Sequence, residues 1–265
     1  MNIKNYLNNV DRNNFIGVVC ESINSGSFVI ENYHNRNYVN IKFLSTGYEN
    51  TVSMKEIRCG HVKDPFTPSV QGVGIFGDTY KAYYKDSVGK SLPKSEYTTW
   101  NNMLSRCYNP KFLEKRKTYE GCIVSENFKH YPYFYDWCNR QIGFGSAGFH
   151  LDKDLLLKGN KIYSEDTCVF IPKEVNAAFT KCNATRGCFP VGVHWNKRQK
   201  SFVAQVHLDS EKQIHLGYFK TAEDAFCAYK SAKEAYIKEL AQKHITRIDV
   251  RAYNALMNYK VEITD

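Results

Sequence analysis

The sequence lacks the features of a membrane protein, a secreted protein or a zinc ribbon. It has no apolar run near the roughly 18 residues that a membrane span requires, and its first stretch, MNIKNYLNNVDRNN, is polar. The nine cysteines are odd in number and include no C-x-x-C pair, which argues against a disulfide framework and against a zinc ribbon. We therefore expect a cytoplasmic protein with reduced thiols and no membrane partner.

Positive charge is concentrated in one part of the chain. The whole sequence has a formal charge of +9, from 36 basic and 27 acidic residues. Residues 181–220 contain seven basic and two acidic side chains, so this stretch carries +5 of that total. Such clustering favours a polyanionic partner such as nucleic acid.

The first 60 residues predict a small β-rich module. Four segments rich in β-branched and aromatic residues are separated by Asn, Gly and Ser turns. These segments are FIGVVC, GSFVIENY, NYVNIKFL and TVSMKEI. Residues 63–78 contain two prolines and three glycines, which is typical of a linker or irregular loop.

The middle of the chain predicts helices followed by a strand–loop–strand–helix unit. SEYTTWNNMLSRCYNP has apolar residues at helical spacing, with Ser95 or Thr98 as the N-cap and a stop at Asn109-Pro110. TYEGCIVSENF predicts a short hairpin or strand, and FKHYPYFYDWCNRQIG predicts a second helix. The ββα unit consists of the strand HLDKDLL, the turn KGNKIYSED, the strand TCVFI and the helix PKEVNAAF.

The basic C-terminal stretch predicts three strands and a long helix. The strands are VGVHWN, SFVAQVHL and KQIHLGYF, and Thr221 caps the helix with Asp224 as a variant of the capping box. By strand alternation we expect Val203 to face this helix while Gln205 and His207 face a ligand. For the last 20 residues, a terminal strand and a loose tail both remain open.

This pattern resembles the DNA-binding domain of the plant ethylene-response-factor (APETALA-type) family, a domain that also occurs in phage and mobile-element endonucleases. The resemblance covers about residues 189–240 and is carried by Gly192-Val193, Phe202-Val203-Ala204, Leu216-Gly217-Tyr218-Phe219 and Thr221-Ala222-Glu223-Asp224-Ala225. It implies a three-stranded antiparallel sheet in the DNA major groove, with the helix packed behind it. By position, the implied DNA-facing residues are His194, Asn196, Lys197, Arg198, Lys200, Gln205, His207, Gln213 and His215.

The family uses Arg and Trp at several positions where this sequence has His. His194, His207 and His215 stand at such places. A neutral imidazole attracts phosphate less than a guanidinium does, so we expect weaker or pH-dependent binding.

The ββα unit resembles the ββα-metal module of HNH nucleases. In that family the first strand supplies a metal-binding acid and an adjacent general-base His, a loop Asn supports the His, and the helix supplies a further ligand. The resemblance matches Asp152-Lys153 to the acid and base, Asn160 to the loop Asn, and Asn176 to the helix ligand. It implies one divalent ion, Mg²⁺ or similar, on Asp152 and Asn176.

A longer resemblance extends over residues 75–185. The motifs W-N-x-M-x-x-R-C-Y, T-Y-x-G-C, L-D-K-D and G-N-K-x-Y-S are similar to those of phage proteins described as HNH or homing endonucleases. For a phage-encoded protein, the expected location becomes the cytoplasm of the host cell.

Lysine at the general-base position is the main departure from the nuclease pattern. An ammonium group has three donors and no acceptor, so Lys153 is a poor base. His150 and Asp154 lie two residues either side of Asp152 and are alternative bases on the same strand face. If the module is inactive, Lys153, Lys158 and Lys161 are expected to contact phosphates.

Taken together, the sequence predicts an α+β protein with four parts. These are a small β module with its linker (1–75), an HNH-like ββα module with added helices (76–185), an ethylene-response-factor-type domain (186–245) and a C-terminal tail (246–265). The first functional hypothesis is a sequence-specific, metal-dependent endonuclease of double-stranded DNA. The alternative is a decayed nuclease that acts by occupying a site, as a repressor, replication factor or competitor. A third, RNA binding, is disfavoured by the narrow major groove of A-form RNA.

Overall fold

The computed structural model of the chain describes residues 15–179, 189–208 and 213–263. The chain separates into two compact units, Met1–Asp136 and Trp137–Asp265. Helices and several small sheets occur in both units, which confirms the expected mixed class of α and β structure. Among the described residues, no helix combines the length and the hydropathy of a membrane span.

An antiparallel meander begins the first unit. Its strands lie in chain order, and their alternating side chains bury an apolar core that includes Phe28, Ile41 and Phe43. This confirms the expected small β module. The four strands are β1 (Val19–Ser22), β2 (Gly26–Asn35), β3 (Tyr38–Phe43) and β4 (Glu49–Val52).

The expectation that TVSMKEI forms one strand is wrong in its second half. The strand ends at Val52, and helix α1 (Met54–Cys59) begins directly after it. Ser53 and Glu56 form a reciprocal capping box, which satisfies the first amides of the helix. A local polar motif therefore overrides the β propensity of the apolar residues that follow.

A short hairpin and two helices continue the first unit. The hairpin pairs β5 (Tyr83–Lys85) with β6 (Ser91–Pro93), and α2 (Ser95–Tyr108) and α3 (Pro110–Lys115) follow it. The helix expected to end at Asn109-Pro110 is confirmed. The expected N-cap is wrong, because Lys94 occupies that position without a side-chain hydrogen bond. Trp100, Met103 and Leu104 are buried, as the apolar spacing indicated.

TYEGCIVSENF contains less β structure than expected. Its middle forms only the two-residue strand β7 (Ile123–Val124), which follows a 3-10 turn at Lys117–Tyr119. Ser125 then caps the short helix α4 (Glu126–Lys129) through the amide of Phe128. The second aromatic helix, α5 (Tyr131–Asn139), is present as predicted.

The second unit contains the expected ββα order. Strand β8 (Phe149–Asp152) pairs antiparallel with β10 (Val169–Pro172), and α6 (Lys173–Ala178) follows at once. The connection between the strands includes the two-residue β9 (Ile162–Tyr163). The first strand is shorter than predicted, because the chain turns after Asp152.

A three-stranded antiparallel sheet follows, in the order β11–β12–β13. It consists of β11 (Val193–Asn196), β12 (Ser201–His207) and β13 (Gln213–Phe219), and α7 (Ala222–Lys243) packs against all three strands. The Thr221 hydroxyl accepts the amide of Asp224 at 3.1 Å, which confirms the predicted cap.

The last residues form a helix, not a strand or a loose tail. Helix α8 (Val250–Met257) is capped by Asp249 and has the apolar spacing that buries Ala252 and Leu256. One core cluster of the second unit joins this helix to the ββα strands and to the C-terminal half of α7 through Val169, Ile171, Ile237, Leu240, Ala252 and Leu256.

Candidate functional site

The register of the three-stranded sheet separates its two faces. Val203 on the central strand pairs with His194 and Tyr218, and directly opposed residues project to the same side of a sheet. Phe202 pairs with Trp195 and Phe219 on the other side. A ring contact of 4.8 Å between Trp195 and Phe202 agrees with this assignment.

One face of the sheet is mainly polar and exposed. Gln205 pairs with His215 and His207 with Gln213, so these residues share the face of Val203. A register shift between Ala204 and Gln205 leaves Leu216 unpaired on β13 and preserves this arrangement. The members of this polar face are His194, Val203, Gln205, His207, Gln213, His215 and Tyr218.

Val203 is therefore placed on the wrong side by the alternation expectation. Residues 203, 205 and 207 have the same parity on β12, and the extra residue lies on β13 instead. Val203 is buried between its neighbours on the polar face. Ala204 and Val206, buried on the opposite face, are the residues positioned to meet α7.

Tyr218 belongs to the polar face although sequence reasoning did not include it among the candidates. Its side chain is 54% exposed, and its ring lies 4.8 Å from the ring of His215. The signal that would have found it is the cross-strand pairing with Val203, which the sequence does not reveal.

The turn between β11 and β12 presents three basic side chains to solvent. Lys197, Arg198 and Lys200 are exposed, and none of them forms an ion pair with any described residue. The side-chain oxygen of Asn196 accepts the amides of Arg198 and Gln199, each at 3.0 Å. Asn196 thus organises the turn, which is a role different from the DNA contact expected for it.

Lys200 occupies a backbone conformation that side-chain-bearing residues rarely adopt. Its φ is +48°, in the left-handed region that favours glycine. A non-glycine residue there costs about 1 kcal/mol. The turn therefore keeps a lysine where glycine fits better.

Two of the expected DNA-facing residues also have other neighbours. Gln205 accepts a hydrogen bond of 2.5 Å from Gln213. Gln205 and His207 border a cavity of about 780 Å³ within the second unit, and Lys233 donates to the carbonyl oxygen of His207 at 3.5 Å. These contacts fix the end of β12.

In the ββα unit, Asp152 shapes the chain after β8. Its Oδ1 atom accepts the amides of Asp154 at 3.0 Å and Leu155 at 2.7 Å. Burial, with a smaller contribution from the carboxylate of Asp154, raises the pKa of Asp152 to about 6. The second oxygen, Oδ2, accepts no hydrogen bond from any described residue.

Lys153 and Asn160 are held together by the loop. The Asn160 amide donates to the carbonyl oxygens of Lys153 at 2.7 Å and Ile162 at 2.6 Å, and its oxygen accepts the amide of Ile162. Lys153 itself is 7% exposed, donates to Asp154 at 3.2 Å and lies 5.7 Å from the ring of Tyr163. An asparagine supporting the residue at the base position is the arrangement that the nuclease resemblance implies.

The other candidates of this unit lie apart. His150 is exposed on β8 on the same strand face as Asp152, and Asn176 is half-buried on α6. Among the described residues, no hydrogen bond joins either side chain to Asp152. Lys158 lies 5.3 Å from the ring of Tyr259, and Lys161 is exposed.

The donors near Asp152 do not form a complete metal site. Within the described parts of the chain, no group of three or more His, Cys, Asp or Glu side chains is arranged to hold an ion. Asp152 contributes one free carboxylate oxygen, while Asp154 is engaged by an ammonium group. A divalent ion prefers several oxygen ligands, and the nearby Lys153 charge opposes one.

Comparison with protein-family models, with curated proteins and with solved structures finds no match to this chain.

Proposed function

We propose that this protein binds double-stranded DNA through the polar face of its three-stranded sheet and the basic turn 197–200. The observation that carries the proposal is the turn, which holds three exposed and unpaired basic side chains at the end of an exposed polar sheet face. Exposed cations without protein partners have no role in packing, and phosphate groups are their natural partners.

The shape of the sheet favours duplex DNA over duplex RNA. A β-sheet enters the wide major groove of B-form DNA, where alternate side chains reach base edges. His194, Gln205 and His215 project from one face and are spaced to reach successive bases. The major groove of A-form RNA is too narrow for this element.

The test is a triple variant of the turn, Lys197→Gln, Arg198→Gln and Lys200→Gln. Each lost phosphate contact lowers the salt slope of log K by about 0.9, so we expect a drop of up to about 2.7. Affinity for duplex DNA should fall at least about tenfold at moderate salt. The measurement is fluorescence anisotropy of labelled duplex across a salt series.

The matched control changes the same residue types in the other unit. Lys55, Arg58 and Lys63 are also exposed, so Lys55→Gln, Arg58→Gln and Lys63→Gln removes equal charge. The control should leave the salt slope close to that of the parent protein. An equal loss in both triples, or no loss in either, would remove the turn from the DNA interface.

The second candidate function is an endonuclease activity of the ββα unit. The hydrogen bond from Asn160 to the carbonyl oxygen of Lys153 favours it, because it reproduces the support that HNH nucleases give their base. The buried, paired ammonium of Lys153 favours the alternative, a decayed nuclease that occupies DNA without cutting it.

Nicking of supercoiled plasmid with Mg²⁺ or Mn²⁺ separates these two versions. Metal-dependent nicking that is absent in EDTA and in Asp152→Ala would establish the nuclease. If the parent protein is inactive, Lys153→His places a proton acceptor at the base position. Activity gained by that variant would identify a decayed nuclease, and inactivity of both proteins with intact DNA binding would leave site occupancy as the function.

A further inference from the structure

We propose that the hairpin of the first unit, residues 80–94, is a binding site for single-stranded DNA. This segment is separate from the sheet face and turn to which duplex binding is assigned. The proposal rests on its exposed aromatic side chains, its unpaired lysines and the rigidity of its base.

The hairpin combines exposed rings with positive charge. Tyr83 and Tyr84 are 51% and 50% exposed on β5, and Val88 at the tip is 84% exposed. Lys81, Lys85 and Lys90 are exposed and form no ion pair with any described residue. Proteins that hold single strands use the same combination, with aromatic faces for bases and cations for phosphates.

The acidic residue within the hairpin is engaged by its turn. Residues 80–94 contain four lysines and one aspartate, a net charge of +3. The Oδ1 atom of that residue, Asp86, accepts the amides of Val88 at 3.0 Å and Lys90 at 2.8 Å. Asp78 and Glu96 lie outside the segment, before and after it. The strands therefore present lysines, while the carboxylate serves the turn.

The base of the hairpin is fixed to the core of its unit. The Tyr83 ring lies 5.6 Å from Tyr97, which in turn contacts the buried rings of Trp100 and Tyr131. The Lys94 amide donates to the carbonyl oxygen of Ala82 at 2.8 Å. Tyr84 pairs with Leu92 and so projects from the face opposite Tyr83. A rigid base leaves the Tyr84 ring available without a large loss of entropy on binding.

The occupant is a single strand because its bases can reach an aromatic face. In a duplex the bases stack on one another, so a tyrosine at the surface meets only sugar and phosphate. A half-exposed ring beside lysines gains most from an unpaired base, since base–aromatic stacking tolerates every sequence.

The experiment uses the full chain carrying the turn substitutions Lys197→Gln, Arg198→Gln and Lys200→Gln, so that duplex binding by the sheet is weakened. Binding of a labelled mixed-sequence single-stranded oligodeoxynucleotide is measured by anisotropy. Tyr84→Ala should weaken binding about 5-fold or more, and Tyr84→Trp should restore it, because the stacking face returns. Lys85→Gln with Lys90→Gln should lower the salt slope.

Tyr38→Ala is the matched control, since Tyr38 is 58% exposed on β3 of the same unit. It should leave single-strand binding unchanged. The proposal is overturned if Tyr84→Ala and Tyr38→Ala behave alike, or if the hairpin variants reduce only duplex binding. Single-strand binding that survives the turn substitutions while duplex binding is lost would support both proposals. Loss of duplex binding alone in Tyr84→Ala would contradict this one without affecting the other.

Discussion

The loop after β8 and the turn between β11 and β12 contain similar residues, but their side chains make different contacts. Both segments carry an asparagine whose oxygen accepts backbone amides. In the loop, Lys153 is buried and paired, whereas in the turn Lys197 and Lys200 are exposed and unpaired. Charge in a sequence therefore indicates a ligand surface only where the fold leaves that charge without a protein partner.

The largest expected effect concerns the asparagine of the loop. Asn160→Ala removes three hydrogen bonds, including one that satisfies the carbonyl oxygen of Lys153. We expect the free energy of unfolding to fall by about 2 to 3 kcal/mol. Urea denaturation followed by circular dichroism gives the value.

Asn196→Ala provides the comparison for that variant. Asn196 accepts two amides in an exposed turn, where water replaces the lost acceptor, so about 1 kcal/mol is expected. Equal losses at the two sites would show that the loop and the turn are equally dependent on their asparagines.

An intermediate effect is expected from the carboxylate of Asp152, measured in metal-free buffer. Its pKa in the folded chain is about 6, above its ordinary value of 3.8. The protonated form is therefore the one that folding favours, so this group contributes stability below about pH 4 and loses it as pH rises through 6. Asp152→Asn keeps an oxygen for the two amides and removes the titration.

The variant should be more stable than the parent protein at pH 7 by about 1 to 2 kcal/mol, after allowance for the part of the side chain that water reaches. The difference should shrink toward pH 4. Unfolding curves of both proteins across this pH range give the comparison. A constant difference between the two would exclude a raised pKa at Asp152.

The smallest expected effect distinguishes binding from stability at the turn. Lys200→Gly relieves the left-handed strain at φ +48°, so we expect a gain of about 0.5 to 1 kcal/mol in unfolding free energy. Affinity for duplex DNA should fall at the same time, because a phosphate contact is lost. A variant that loses stability would show that Lys200 is retained for packing.

Gly159→Ala is the reciprocal change in the loop. Gly159 has φ +80°, and no atom lies within 4 Å of the position of an added Cβ, so conformational strain is the only expected effect. A loss of about 1 kcal/mol would confirm that left-handed positions carry a similar penalty in both segments.

Much of the local structure followed from the sequence. The alternation of apolar residues predicted the meander, and the helical spacing with Asn109-Pro110 predicted the end of α2. The order strand, loop, strand, helix was correct over residues 149–178, and so were the three strands and the Thr221 cap. These features depend on residues close together in the chain, which is why periodicity and capping motifs reveal them.

The errors in local structure came from short polar motifs. Ser53 with Glu56 converted the second half of an expected strand into a helix, and Ser125 did the same after Val124. The apolar face of α8 found its partner in a core more than 70 residues away in sequence, around Val169 and Ile171. No local pattern indicates that partner.

The sequence by itself determined which residues are basic, aromatic or able to accept a proton, and where the strands and helices that carry them lie. Tertiary structure decided which of these groups remain available. It buried Lys153 beside Asp154 and Tyr163, used Asn160 and Asn196 to hold backbone, and left Lys197, Arg198 and Tyr84 exposed. The physical reason is that a polar group removed from water must find a partner within the protein, and that partner is set by distant parts of the chain.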